Sequence, residues 1–132
     1  MAYFDFARKI SKNETIRIFD YGNTMRDYTY VDDVVNGIVS TMYTSFNSTE
    51  ILNIGNNNPV KIGTFVKTLE LHMRRKAQIE YTTSAKGDVP VTFANIEKAR
   101  CMIGYNPITD IHEGIANFVR WFEIYERDLN NF

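Results

Sequence analysis

Ile111, Ile115, Phe118, Val119, Phe122 and Tyr125 recur at steps that place them on one face of an α-helix, and this stripe constrains the chain more than any other feature. So broad an apolar face is stable in water only when another apolar layer covers it. Asp110 precedes the stripe and Glu113 follows three residues later, a capping-box-like start. The spacing predicts a helix from there to about Glu126, with a frayed tail over Asp128–Phe132.

The covering layer is legible upstream. Tyr3, Phe6, Ala7 and Ile10 mark a helix over 1–11, and Ile62, Phe65, Val66, Leu69 and Met73 mark another over about 61–75. Val34, Val35, Ile38 and Met42 line one face of a helix over roughly 32–45. Asp32 and Asp33 open it, since carboxylates suit the positive helix end. A short helix over 95–102 ends at Gly104, well placed as its C′ residue, with Asn95 suited to cap its start. Thr15–Phe19 alternates apolar and polar residues as a strand does, and Asp27–Tyr30, Glu50–Ile54 and Gln78–Thr82 read as further short strands. Gly22-Asn23, the run 55–59 and Lys86–Pro90 are turns or loops. Helices alternating with short strands imply an α/β fold, a small and mostly parallel sheet with flanking helices, in one domain over 1–132.

The 132 residues are 44% hydrophobic and 23% charged with a net charge of −1, an ordinary soluble composition. Nothing in it draws the chain to nucleic acid or an anionic membrane. No apolar run reaches membrane-spanning length, and the aromatic but polar opening Met1–Phe6 is no signal peptide. Cys101 is the single cysteine. It excludes an internal disulfide and makes a reducing, cytoplasmic setting the simplest expectation. Without a secretory signal, the glycosylation triplets at Asn13 and Asn47 are read as silent.

Catalytic chemistry is scarce. His72 and His112 have no Cys or His at ligand spacing, so no metal site is expected and both read as surface histidines. Cys101, beside Met102 and Ile103, reads as a buried packing thiol rather than a nucleophile. Gly22, Gly55 and Gly63 stand alone, and none belongs to a glycine-rich dinucleotide loop. Asp32 and Asp33 are adjacent helical residues and do not face one another as a catalytic pair would. The basic cluster of His72, Arg74, Arg75 and Lys76 reads as a helix C-terminus rather than a phosphate patch.

The segment running from Arg26 to Val35, Arg-Asp-Tyr-Thr-Tyr-Val-Asp-Asp-Val-Val, resembles the "RDFTYIDD" block of extended short-chain dehydrogenases acting on nucleotide sugars. Met1–Phe4 and Ile16–Phe19 precede it at that family's spacing. Asn53–Asn56 with Pro59-Val60, Gly87–Pro90, Gly104–Pro107 and Glu113–Phe122 follow in order. Together these blocks span essentially the whole chain, which is similar above all to UDP-glucuronate 4-epimerases among the NAD-dependent epimerases and dehydratases. The resemblance implies a C-terminal substrate-binding part. The Rossmann half that binds NAD and carries the catalytic Ser/Thr, Tyr and Lys lies outside it, so no catalytic residue and no bound cofactor are expected within these residues. In relatives an Arg-Pro-Asp-like stretch precedes the residue matching Met1, as a split or truncated gene, a chosen piece or a mis-assigned start would each explain.

Site roles follow from the same resemblance. Arg26 would hold the diphosphate, with its guanidinium fork matched to phosphate oxygens; the bland reading is a surface Arg beside a turn. Asp88 would accept from the ribose hydroxyls, against a turn Asp bonding its own backbone. Arg17 and Phe19 would meet the uracil through backbone groups. Many relatives place Arg or Gln where Ala85 stands, which leaves Lys86 either as a replacement point charge or as a solvated loop residue. A weak UDP-sugar site without turnover is the first expectation. An interaction module, pairing with a separate Rossmann-domain chain or with itself, is the second. A folded gene remnant that binds nothing is the third.

Overall fold

Ile16 and Ile18 point to one side of β1 (Thr15–Phe19), while Thr15, Arg17 and Phe19 face the other and stay exposed. The computed structural model of the chain describes residues 2–83 and 87–129. In it β1 pairs in parallel with β4 (Gln78–Thr82), in a register running from Thr15↔Gln78 to Phe19↔Thr82. Among the described residues these two strands make the whole sheet. Its inner side lies under α1 (Ala2–Ser11), α3 (Ile62–Met73) and α5 (Ile111–Leu129).

The α5 stripe finds the layer it needs. Ile115, Val119 and Phe122 are buried with Phe65, Val66 and Leu69 of α3 and with Ile16 and Ile18. From α1, Tyr3 meets Phe118 edge-on at 5.1 Å, and Phe4 meets Phe122 edge-on at 5.6 Å. Such aromatic pairs add about 0.5–1.5 kcal/mol beyond the area they bury. The α5 start is as read: Asp110 accepts the Glu113 N–H at 2.8 Å. The helix then continues to Leu129, past the boundary expected near Glu126.

A second, smaller cluster holds Ile96, Ala99 and Tyr105, with Leu52 and Ile54 against it. It lies between α2 (Val31–Met42) and α4 (Glu97–Ile103). Gly104 ends α4 in the left-handed conformation at φ 65°, the role that a Cβ-free residue fills most easily. The N-cap residue of α4 is Ile96, not Asn95; Asn95, one residue earlier, accepts the Glu97 N–H at 3.0 Å.

Three expectations are corrected. The strand expected over Asp27–Tyr30 lies two residues earlier. β2 (Met25–Arg26) pairs antiparallel with β3 (Val60–Lys61), and Asp27 then leaves the ladder to bind loop amides. Glu50–Ile54 forms no ladder, because no strand among the described residues lies beside it. Cys101 is exposed; two residues from buried Ala99 on a helix is the opposite side.

The α2 face is the largest surprise. Its buried residues are Asp33 and Gly37, and the apolar stripe turns outward, with Val35 at 47%, Ile38 at 53% and Met42 at 76% exposure. A Cβ on Gly37 would stand 3.0 Å from both Ile54 and the Tyr105 ring. The bare backbone therefore packs where a side chain would collide.

Phe122→Ala should cost about 3–5 kcal/mol, since it empties the centre of the main core. Ile124→Ala, on the exposed side of the same helix, should stay within about 0.5 kcal/mol of the parent. Urea unfolding followed by circular dichroism separates the two; equal losses would mean that α5 does not bury the face described.

Candidate functional site

The loop that carries Asp88 is strapped to β2. Met25 donates its N–H to the Pro90 carbonyl at 2.8 Å, and Thr92 donates to the Met25 carbonyl at 3.2 Å, around a parallel bridge between Met25 and Val91. These bonds bring Asp88 to Arg26, where Nη2 donates to Oδ1 at 2.5 Å. Arg26 Nη1 also donates to the carbonyls of Met25 and Val89, at 2.8 and 2.9 Å. The side chains of the pair are 27% and 29% exposed. Among the described residues three of the five guanidinium N–H groups are thus engaged, and the others have no acceptor there.

Asp27, beside Arg26, holds the other loops. Its Oδ2 accepts from the N–H of Asn57 and of Ala94, each at 3.0 Å, and its Oδ1 from Asn58 at 3.3 Å. Gly55 allows this closeness: a Cβ there would lie 2.4 Å from the Ala94 Cβ and 2.9 Å from Asp27 Oδ2. Tyr105 donates its hydroxyl to the Gly55 carbonyl at 2.9 Å. Burial raises the Tyr105 phenol above its usual range, and the charges of Asp33 and Asp27 add to it. Asp33 is only 3% exposed and accepts from the N–H groups of Ile108 and Thr109 at 3.3 and 3.1 Å.

The remaining sequence candidates are scattered. Arg17 pairs with Glu80 across the exposed face of the sheet at 3.2 Å. Phe19 closes β1, partly exposed. Among the described residues neither bonds to Arg26 or Asp88. Lys86 lies outside the described residues. Asp27, Asp33 and Tyr105 are the positioning groups that sequence reasoning missed. Asp27 was already inside the recognised block, and its signal was a carboxylate between a short strand and an aromatic run.

A cavity of about 830 Å³ opens between α1, α5 and residues 27–31, with Tyr3, Phe4, Tyr30, Phe118 and Trp121 on its walls. Neither Arg26 nor Asp88 lines it. Tyr28, also on its wall, stacks on Phe65 at 4.6 Å. Burial pushes the Tyr28 phenol up to about 12, against the opposing pull of the Arg26 charge. His72 and His112 come within 6.5 Å, ring centre to ring centre. No third ligand joins them among the described residues, and no described helix is long and apolar enough to cross a membrane.

Comparison with known proteins agrees with this architecture. Residues 1–55 match the model of the NAD dependent epimerase/dehydratase family. An uncharacterized protein of Methanocaldococcus jannaschii is 39% identical over 122 residues, covering 92% of this chain and 37% of its own. UDP-glucuronate 4-epimerase 4 of Arabidopsis thaliana is 37% identical over 141 residues, covering 95% of this chain and 32% of its own. The solved structure of MoeE5 in complex with UDP-glucuronic acid and NAD superposes with a TM-score of 0.88 at 26% identity, covering 95% of this chain and 42% of that one. The chain therefore spans about a third to two fifths of the length of these relatives.

Asp27→Ala leaves three backbone N–H groups without their acceptor and should cost about 2–3 kcal/mol. Amide exchange should quicken first at Asn57, Asn58 and Ala94; unchanged exchange there would refute the anchoring role. The raised Tyr28 phenol contributes stability that is whole below its ordinary value of 10.0 and is lost as pH rises through about 12. Phenolate absorbance should therefore show a step near 12 that disappears in Tyr28→Phe, along with part of the alkaline loss of stability.

Proposed function

The chain belongs to the NAD-dependent epimerase/dehydratase family, and we propose that residues 1–132 form the nucleotide-sugar-binding, C-terminal part of a UDP-glucuronate-type 4-epimerase. Arg26 takes the diphosphate with its unengaged N–H groups, a charge-assisted and fork-shaped contact. Asp88 turns from Arg26 to the vicinal hydroxyls of the ribose. The uracil pairs with backbone groups of Arg17 and Phe19; β1 has a strand on one edge only among the described residues, which leaves main-chain groups for that purpose. Lys86 adds a point charge on the same loop.

The observation that carries this reading is the Arg26–Asp88 contact, held by the Met25 bonds to the loop around it. It joins two residues 62 apart in sequence that the family resemblance had assigned to adjacent parts of one ligand. Hydride transfer needs NAD and the acid and base groups of the Rossmann half, so the chain alone binds without turnover. A reducing, cytoplasmic setting suits such an activity.

Affinity without the remaining contacts should be weak, with a Kd near millimolar, about −4 kcal/mol. In a two-dimensional amide NMR titration, UDP-glucuronate should shift the signals of Arg17, Phe19, Arg26 and Asp88, while NAD leaves them still. Arg26→Ala should remove the response. Should neither ligand move these signals at several millimolar, the nucleotide-sugar reading of this chain fails.

A further inference from the structure

We infer that His72 and His112 form a two-histidine site for a divalent transition-metal ion of the zinc class, which ties the end of α3 to the start of α5. The inference is independent of the nucleotide-sugar reading. Among the described residues neither ring bonds to Arg26 or Asp88, and neither lines the large cavity.

The two histidines are remote in sequence, and the packing of α3 on α5 brings them together. Phe65, Val66 and Leu69 of α3 are buried with Ile115 and Val119 of α5. His72 follows Leu69 by three residues and His112 precedes Ile115 by three, so both histidines extend the same seam. Their ring centres stand 6.5 Å apart, with the planes inclined at 64°. A ring nitrogen lies about 1.1 Å from its ring centre and a zinc–nitrogen bond is about 2.0–2.1 Å, so a tetrahedral ion shared by both rings sets their centres about 5.2 Å apart. The rings therefore have to close by about 1.3 Å. His112 is exposed, and rotation of its side chain supplies that movement.

A second observation points to a ligand. Nε2 of His72 is buried and has no hydrogen-bond partner. Buried side-chain nitrogens are normally satisfied, and an exception calls for a cause such as an ion. The lone pair of a neutral imidazole is the group that binds zinc, copper or nickel.

The surrounding charge suits a cation. His72 stands in the last turn of α3, the negative end of that helix. His112 stands in the first turn of α5, where Asp110 and Glu113 offset the positive end. Arg75 and Lys76, close to His72 in sequence, are drawn to other acceptors: the Ser11 carbonyl at 2.6 Å and the Glu70 carboxylate at 3.2 Å. Among the described residues no third His, Cys, Asp or Glu completes the set. Water takes the remaining positions, which makes this an open site rather than a closed structural one.

The test adds zinc chloride to the chain at mildly alkaline pH, since ligation needs deprotonated imidazole. Calorimetry should show one equivalent bound, with the ring proton signals of His72 and His112 shifting together. At free zinc of about 100 times the Kd, the unfolding equilibrium constant should fall about 100-fold, because only the folded chain holds both rings in place. His112→Gln, an exposed change, should weaken zinc binding at least about tenfold, and His72→Gln should do the same. Should His72→Gln fold poorly, His112→Gln decides alone. Cys101→Ser should bind zinc as the parent does; its exposed thiol is the competing soft ligand. No saturable binding at millimolar zinc, full affinity in His112→Gln, or affinity lost in Cys101→Ser each overturns the proposal. So does binding that leaves unfolding unmoved, which would place the ion on a group outside the α3–α5 seam.

Discussion

One carboxylate organises the end of the molecule where Arg26 and Asp88 meet. Asp27 accepts main-chain N–H groups from loops 30 and 67 residues further along the chain. A charged acceptor serving several backbone donors is among the stronger polar arrangements a protein can make. It fixes the 55–58 loop and the segment around Ala94 against β2, and the strap from Met25 to Pro90 and Thr92 completes the enclosure. Arg26 and Asp88 meet because both ends of their connection are held there. The chemistry of the site thus depends on a residue that need touch no ligand.

The helices were legible in the residues wherever burial follows apolar spacing. α1, α3 and α5 bury the stripes expected of them, and Asp110 and Gly104 act as the caps that their positions suggested. β1 and β4 stand where alternation placed them. Resemblance singled out Arg26 and Asp88, which the structure brings into contact, but it gave no sign of the loop-holding contacts of Asp27, Asp33 and Tyr105. A buried carboxylate bound to loop amides leaves no periodic trace, and its partners are remote in sequence. The strand expected over Glu50–Ile54 failed for a different reason: the pattern is present, but a strand is defined by a neighbour, and none lies among the described residues.

α2 shows where amphipathic reasoning misleads. An apolar stripe says which face a helix buries, but not against what. Here the inward contact is made by Gly37 and by Asp33, whose carboxylate is satisfied by the amides of Ile108 and Thr109. The two clusters differ accordingly. The main one joins three helices and a sheet, whereas the smaller rests on three buried residues. Local opening should start on the α2 and α4 side, where fewer apolar contacts oppose it.

The parallel pairing of β1 with β4 also sets the order in which the chain can mature. Arg17 meets Glu80, 63 positions further on, only once that stretch has been made, and the Phe122 that covers Ile16 and Ile18 comes later still. Until then Ile16 and Ile18 have only part of their cover, from Ala7 and Ile10 of α1 and later from α3. Closing so long a loop before any reward is slow. While α3, β4 and α5 are still to be made, the Ile16 and Ile18 face of β1 is only partly covered, a window in which a chaperone has something to hold.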